Sequence, residues 1–372
     1  MSQTKNGVRD TVILIPSLEP DERLPAYIRA LSDKGFGYIV VVDDGSSEAF
    51  QPIFTELESI ERTVVLHHPI NQGKGTALKT GYRYISDCLP DVKGIITADA
   101  DGQHTVKDCM RLAEKMSENT KAVYLGSRDF TLPDIPPKSR SGNRITSMVF
   151  RAFYGVWLPD TQTGLRAFSR EKLPFMLSVS GERYEYEMKV LIACAVSKVP
   201  LIPVSIETIY ENGKNEGTHF HPVRDSFRIY RVILGSFIKF MGSSLVSFLA
   251  DQLLFNMLRS WLLPMLGINI NLDLLIGLRL DNTSLSNYTA RLFSAILNFR
   301  LNRDLVFRVK DSKGTGIRYA FTAVGIIILS TLGIKALGLI GTAPWLAKVL
   351  VDTLLYFLSY RIQRQWVFKE EV

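Results

Sequence analysis

Apolar runs of strand length alternate with amphipathic stretches along the first hundred residues. TVILIPSL (11–18) is a β-branched run ending near Pro16, and DERLPAYIRALSDKG behind it has helical spacing with a stop at Gly35. YIVVVDDGSS (38–47) reads as a second strand that terminates in Asp43, Asp44 and Gly45, and TVVLHHP (63–69) as a third. After the helical stretch GKGTALKTGYRYISDCL, GIITADAD supplies a fourth. Near-continuous apolar strands separated by amphipathic helices predict an α/β domain whose mainly parallel sheet is covered on both faces.

In such sheets ligands sit beyond the carboxyl ends of the strands, and Pro16, Asp43, Asp44, Asp99 and Asp101 all fall there. The stretch IITADADGQH (95–104) sets two carboxylates at that edge. An EF-hand is excluded, because the sixth and twelfth positions counted from Asp99 hold His104 and Met110 instead of Gly and Glu. A divalent-metal clip and a solvated strand-end turn both remain open on these residues. NQGKGTALKTG (71–81) fails the P-loop pattern, with His68 five positions before Gly73 and Gly75 after Lys74. Its glycines suit either an anion site at a helix start or a tight turn.

The second half changes character. Apolar segments occur near 233–258, 284–302, 317–340 and 345–360. A membrane span needs roughly 17–25 mainly apolar residues; the third segment meets this plainly, while the second carries Arg291 and Asn298. Arg228 and Arg231 precede the first segment, Arg300, Arg303, Arg308, Lys310, Lys313 and Arg318 lie between second and third, and Arg361, Arg364 and Lys369 follow the fourth. The positive-inside rule then predicts four spans with both termini and the central loop in the cytoplasm. Asp251, Arg291, Lys335 and Asp352 are costly in lipid and are expected to face the bundle interior. NFRLNRDLVF (298–307) and SYRIQRQWVF (359–368) end their segments alike.

Charge narrows the partners. The 372 residues carry a net charge of +7, which suits nucleic acid, anionic lipid or phosphorylated substrates. Basic residues concentrate beside apolar segments and form no tract interleaved with aromatics, which favours a lipid bilayer and argues against nucleic acid. Cys88, Cys109 and Cys194 show no metal or redox spacing, as expected in a reducing compartment. MSQTKNGVRD lacks the apolar core of a secretory signal, so the first domain is expected to stay in the cytoplasm.

Six motifs then point one way. VVVDDGSS, NQGKGTALKTG, TADADGQH, GSRDF, DTQTGLRAF and ERYEYEM, in this order, resemble the inverting family-2 glycosyltransferases of the GT-A fold, in the polyprenyl-phosphate (dolichol-phosphate mannose synthase-like) branch. The resemblance covers roughly 11–230 and implies a cytoplasmic GT-A domain over 1–230, with a Rossmann-like, mostly parallel sheet. Residues 231–372 resemble a GtrA-type transmembrane domain of about four helices, implying sugar-lipid handling, flipping or simple anchoring. At the first strand, PSLEP puts Glu19 where the family's Pro-Ala-Tyr-Asn-Glu has Asn.

The resemblance implies a UDP- or GDP-sugar donor, a polyprenyl phosphate acceptor such as undecaprenyl phosphate, and Mg²⁺ or Mn²⁺. It assigns the metal to Asp99, Asp101 and Gln103, and the donor to Pro16, Glu19, Asp43, Asp44, Gly73 and Lys74, with Asp43 and Asp44 on the base and ribose. Arg128, Arg140, Arg144 and Ser147 fall on the acceptor-phosphate side. Asp101, Arg128 and Glu185 are the expected catalytic residues, Glu185 orienting the donor sugar or acting as base, with Glu187 an ordinary helix residue.

The acceptor decides whether a base is needed. A sugar hydroxyl must lose a proton, whereas a phosphomonoester with a second pKa of about 6 is mostly a dianion at neutral pH and attacks unaided. Such an acceptor needs positive charge, and Arg suits bidentate phosphate recognition. Two rival readings follow: transfer to a lipid or glycan hydroxyl with Glu185 as base, or a flippase or scaffold whose transferase half is inactive. QRQW (363–366) is similar to the Gln-x-x-Arg-Trp element of processive polysaccharide synthases, but its Arg is misplaced and it follows the last segment, which disfavours a polymerase. A homo-oligomer is left open.

Overall fold

The computed structural model of the protein describes residues 7–132, 135–207, 222–269, 271–273, 279–309 and 314–368. The chain divides into two compact units between Ile233 and Leu234.

The first unit is built on seven strands: β1 (Thr11–Ser17), β2 (Tyr38–Asp43), β3 (Thr63–His67), β4 (Gly94–Thr97), β5 (Val123–Ser127), β6 (Arg166–Ser169) and β7 (Leu201–Ser205), in the order β3-β2-β1-β4-β6-β5-β7. β1 lies between parallel neighbours β2 and β4, and its Val12, Ile13, Leu14 and Ile15 are fully buried. Burying each such side chain contributes about 1.5–3 kcal/mol. β6 alone runs against the rest, antiparallel to both β4 and β5.

Helices α1 (Arg23–Asp33), α2 (Gln51–Glu58), α3 (Lys74–Cys88), α4 (Val106–Glu118), α5 (Pro137–Tyr154), α6 (Leu173–Ser178) and α7 (Glu185–Val196) connect the strands. α1 buries Leu24, Ile28 and Leu31 at helical spacing, and Thr105 caps α4 by accepting the N–H of Asp108. Register brings the strand ends together: Ser17 pairs with Asp43 and Asp43 with His67. Asp43, Asp44, Asp99 and Asp101 therefore emerge along one edge, as expected for ligands of a parallel sheet.

The second unit is helical. The helix α8 (Pro222–Met257) carries the chain into it, followed by a short antiparallel ladder of β8 (Asn271–Asp273) and β9 (Arg279–Asp281). Next come α9 (Asn282–Leu301), α10 (Thr315–Leu339) and α11 (Pro344–Ile362). Among the described residues only two helical stretches are long and apolar enough to cross a membrane, Ile229–Met265 with mean hydropathy 1.7 and Thr315–Leu339 with 1.9. Of the four expected spans, two are of that grade among the described residues. α9 and α11 occur where spans two and four were expected, but Arg291 and Asn298 in the first and Lys348, Asp352 and Arg361 in the second lower their hydropathy.

Two buried or half-buried aspartates of these helices have partners. Asp251, buried on α8, accepts from Ser294 Oγ at 3.1 Å and lies 3.7 Å from Arg291 Nε; Asp352 accepts from Ser330 Oγ at 2.6 Å. Arg291 and Lys335 are exposed, against the expectation that both face inward. The similar segment ends also meet. Asn302 Nδ2 donates to Gln363 Oε1 at 3.0 Å across 61 positions of chain, and the rings of Phe307 and Phe368 stack with centroids 5.0 Å apart. Asn302 also bonds Asn298 and Ser243, while Gln363 donates to Ser359. α9 and α11 each run into a π-helical stretch here, Asn302–Phe307 and Gln363–Val367. Gln363, the first residue of the synthase-like QRQW, is thus a packing residue of this bundle.

Candidate active site

Asp43 and Asp44 leave β2 buried and already occupied. Asp43 Oδ1 accepts the N–H of Ser46 at 2.8 Å, and Oδ2 lies 2.9 Å from His67 Nδ1. Burial pushes its carboxyl up, but the Ser46 and His67 contacts outweigh this and hold it below the usual carboxylate range. Asp44 accepts the N–H groups of Gln72 at 3.0 Å and Gly73 at 2.7 Å, and meets His68 Nδ1 at 2.8 Å. These oxygens brace the turns after β2 and before α3. Pro16 stands in β1 opposite Val42, and Glu19 follows with a left-handed φ of 49°, its N–H donated to Ser46 Oγ at 2.8 Å and its side chain exposed.

The NQGKG turn is held the same way. A Cβ on Gly73 would stand 2.6 Å from the Glu182 carbonyl, and one on Gly75 2.6 Å from Tyr186 Cβ. Thr76 N–H donates to that same carbonyl at 2.9 Å. The 182–186 segment packs onto the turn at both glycines, and the N–H groups of Gln72, Gly73 and Thr76 are bonded to protein.

Lys74, the first residue of α3, is the exception. Its Nζ lies 2.7 Å from Asp99 Oδ1 and 3.0 and 3.1 Å from the two carboxylate oxygens of Glu187. His104 Nε2 meets the other Asp99 oxygen at 3.2 Å, and its buried Nδ1 has no partner among the described residues. Burial alone would raise the Asp99 carboxyl, but Lys74 and His104 carry it well below the carboxylate range. Burial likewise opposes the Lys74 charge, yet Asp99 and Glu187 raise that ammonium above its ordinary value. From behind, Arg166 donates Nη1 to the Glu187 carbonyl at 2.8 Å and Nε to Thr163 O at 3.2 Å.

Asp101 differs from Asp99 two residues before it. Among the described residues it accepts only the Gln103 N–H, at 3.1 Å, and its carboxyl is pushed up first by burial and then by the Asp99 charge. No three His, Cys, Asp or Glu side chains converge as a cation cage among the described residues. Two neighbouring carboxylates that repel each other still fit a hard divalent cation. Mg²⁺ takes one or two protein carboxylates and completes its octahedron from phosphates and water. The Gln103 side chain makes no hydrogen bond among the described residues.

On the acceptor side, Arg128 follows the end of β5, and its Nε and Nη2 lie 2.7 and 3.2 Å from the oxygens of buried Asp160. Asp160 also accepts the Gln162 N–H at 2.9 Å. Asn143 on α5 ties to the same loop, donating to Pro159 O at 2.5 Å. α5 buries Asn143, Thr146, Ser147, Phe150 and Tyr154, and exposes Arg140, Arg144 and Arg151 with Ile145 and Met148. Ser147 is 1% exposed and its Oγ has no partner among the described residues, so it lies on the inward face, apart from the arginines it was expected to assist. Arg140 donates to Leu132 O at 2.7 Å; Arg144 has no hydrogen bond or ion pair among the described residues.

Comparison with known proteins gives this edge its identity. Residues 13–175 match the family model Glycosyl transferase family 2, and residues 265–368 match the model GtrA/DPMS, transmembrane domain. An uncharacterized protein of Methanocaldococcus jannaschii is 31% identical over 212 residues, covering 56% of this chain and 85% of the relative. The chain belongs to glycosyl transferase family 2. Other relatives are the UDP-N-acetylglucosamine–dolichyl-phosphate N-acetylglucosaminyltransferase of Methanococcus voltae, 27% identical over 60% of this chain and 94% of the relative. The undecaprenyl-phosphate 4-deoxy-4-formamido-L-arabinose transferase of Klebsiella pneumoniae is 28% identical over 46% of this chain and 52% of its own. This glycosyltransferase is also a membrane protein, by its GtrA/DPMS domain and its two span-grade helices.

In this family-2 chain Glu185 and Glu187 of ERYEYEM make different contacts. Glu185 opens α7, and its Oε1 accepts the N–H groups of Glu182 at 3.2 Å and Arg183 at 3.4 Å. Burial pushes its carboxyl up, but these backbone bonds prevail and hold it below the ordinary value. A cap of that kind is no base poised near neutrality. Glu187, expected to be ordinary, is the carboxylate that reaches Lys74. The Glu-x-Glu spacing was the available signal, because residues two apart on a helix point in nearly opposite directions. Asp160, His104 and Gly164 lay unassigned inside the DTQTG and DADGQH motifs.

Proposed function

We propose that this glycosyltransferase moves a sugar from a UDP- or GDP-sugar to polyprenyl phosphate at the cytoplasmic face of a membrane, inverting the anomeric centre. The observation that carries the acceptor assignment is the outward face of α5. Arg140, Arg144 and Arg151 stand there beside exposed Ile145 and Met148. Cations and apolar side chains on one face suit a phosphate borne by a lipid. A solvent-borne sugar hydroxyl has no use for that combination.

Glu185 supports the same choice. Its carboxyl is held ionised by backbone N–H groups, which suits a phosphate dianion that attacks without a base. On the donor side Asp99 and Asp101 would hold Mg²⁺ or Mn²⁺, with Gln103 beside them. That ion, when bound, would neutralise charge on the departing diphosphate. Lys74 offers the donor an ammonium at the same edge. Arg128, fixed by Asp160, and Arg144 would bind and orient the acceptor phosphate. The GT-A domain is assigned to 1–230 and the membrane domain to 231–372, with both termini cytoplasmic and the lipid bilayer as partner.

An acceptor swap tests this reading. Full-length protein in detergent is given a nucleotide sugar with polyprenyl phosphate or with the free polyprenol, and lipid-linked sugar is measured for wild type and Glu185→Gln. Product only from the phosphate, with Glu185→Gln retaining a measurable fraction, is expected. Equal product from the alcohol, or complete loss in Glu185→Gln, contradicts it.

A further inference from the structure

Asp99 cannot serve a metal ion in the arrangement seen here without first giving something up. One of its oxygens holds the Lys74 ammonium at 2.7 Å and the other the His104 imidazole at 3.2 Å. A divalent cation arriving at Oδ1 would meet a positive charge at contact distance, and like charges that close repel strongly in a partly dehydrated site. Asp101 has no such occupant among the described residues.

Two of the three partners are fixed. Asp99 is backed by Gly164, where even a methyl group would come within 2.3 Å of its Oδ2. The main chain of Glu187 is pinned by Arg166. The start of α3 is fixed too, through the bonds of Asp44 to Gln72 and Gly73. What can move is the Lys74 side chain, a flexible four-carbon stem carrying three donors. Its second seat is already built, since both Glu187 oxygens lie within 3.1 Å of Nζ.

We propose that Glu187 is a positioning residue for Lys74. Before donor binding, Lys74 is shared by Asp99 and Glu187 and stands in for the missing positive charge at Asp99. When a divalent cation takes Asp99, Glu187 retains the ammonium and presents it at the edge where the donor diphosphate arrives. The exchange keeps the site near charge balance throughout, and it keeps Asp99 from binding a cation tightly before nucleotide is present. No covalent bond changes.

This rests on the reading of Asp99 and Asp101 as cation ligands, and the test separates the two. Mn²⁺ binding to full-length, nucleotide-free protein in detergent is followed by the electron paramagnetic resonance signal of free Mn²⁺. Lys74→Met should bind Mn²⁺ more tightly than wild type, by about tenfold if the competing ammonium costs about 1.4 kcal/mol. Glu187→Gln should bind it more weakly, because Lys74 then has no second seat. Lys79→Met is the control for net charge: it removes the same charge from the same helix, but its Nζ donates to the Gly181 carbonyl, so affinity should not change. Thermal midpoints confirm that each variant is folded, and Glu187→Gln carries the test if Lys74→Met is not. An unchanged or weaker affinity in Lys74→Met, an unchanged or tighter one in Glu187→Gln, or an equal shift in Lys79→Met overturns the proposal. If Asp99→Asn binds Mn²⁺ as wild type does, or if neither wild type nor folded Lys74→Met binds it, the reading of Asp99 as a cation ligand itself fails.

Discussion

The α-carbon of Gly164 packs so closely on Asp99 that a Cβ there would stand 2.3 Å from Oδ2 and 2.5 Å from Oδ1. Real Cβ atoms do not approach that near, so Gly164→Ala must push the Asp99 carboxylate off the β4 edge. Displacements of about 1 Å in a reacting site cost about 10²-fold in rate, and a loss of that order in kcat/KM is expected with little change in thermal midpoint. Gly142→Ala is the contrasting variant: nothing lies within 4 Å of the added methyl, and mid-helix alanine is favoured by about 1 kcal/mol. It should keep full activity and gain stability.

Arg128 is bound to a carboxylate with no exposed surface of its own. Removing one partner of a buried ion pair leaves an uncompensated charge and costs about 3–5 kcal/mol. Arg128→Ala should therefore lower the thermal midpoint by several degrees besides weakening acceptor use, and Arg128→Ala with Asp160→Asn should recover part of the stability without restoring turnover. Full recovery of turnover in the double variant would show that Arg128 acts on the acceptor only through folding.

Asp99 and Asp43 are both held below the ordinary carboxylate range, Asp99 by Lys74 and His104 against its burial, and Asp43 by Ser46 and His67 against its own. Their folded-state values lie under the unfolded ones, so their contribution to stability is complete above pH of about 4 and is lost as pH falls further. Urea midpoints should be level from pH 7 to about pH 5 and then drop. In Lys74→Met the drop should be shallower, because the main attraction that lowers the Asp99 value is gone.

In the membrane domain, Asn302 and Gln363 are buried and bonded to each other. Hydrogen bonds of this kind between helices contribute about 1 kcal/mol. Asn302→Ala takes the donor from Gln363 Oε1 and leaves Ser243 with only the Phe240 carbonyl, so it should reduce resistance to thermal unfolding in detergent. Asn302→Leu with Gln363→Leu should be less harmful than the two single losses combined, since both ends of the bond become apolar together.

Much of the sheet was legible in the chain because parallel strands buried on both faces must be continuous apolar runs, as TVILI and YIVVV are. β6 was not: RAFS opens with an arginine, has four residues and runs antiparallel, so it shows no such run. The carboxylates were found from their place at strand ends, but their partners were not. Whether Asp44 faces a ligand or the N–H of Gly73 depends on how the 182–186 segment packs, which is a tertiary fact. Ser147 was misplaced because it lies beside Asn143, Thr146 and Phe150, whose buried stripe on α5 takes it in. Two of the four expected spans fell short because their polar residues include groups paired inside the helical unit, Asp352 with Ser330 and Asn298 with Asn302 and Tyr319.

The most direct measurement is lipid-linked sugar formed by purified full-length protein from polyprenyl phosphate and each of a panel of UDP- and GDP-sugars, with and without EDTA. At least one donor should give a product that EDTA abolishes, Mg²⁺ or Mn²⁺ restores, and Asp101→Asn fails to form. No metal-dependent lipid product from any donor, with the wild-type protein folded, would contradict the account.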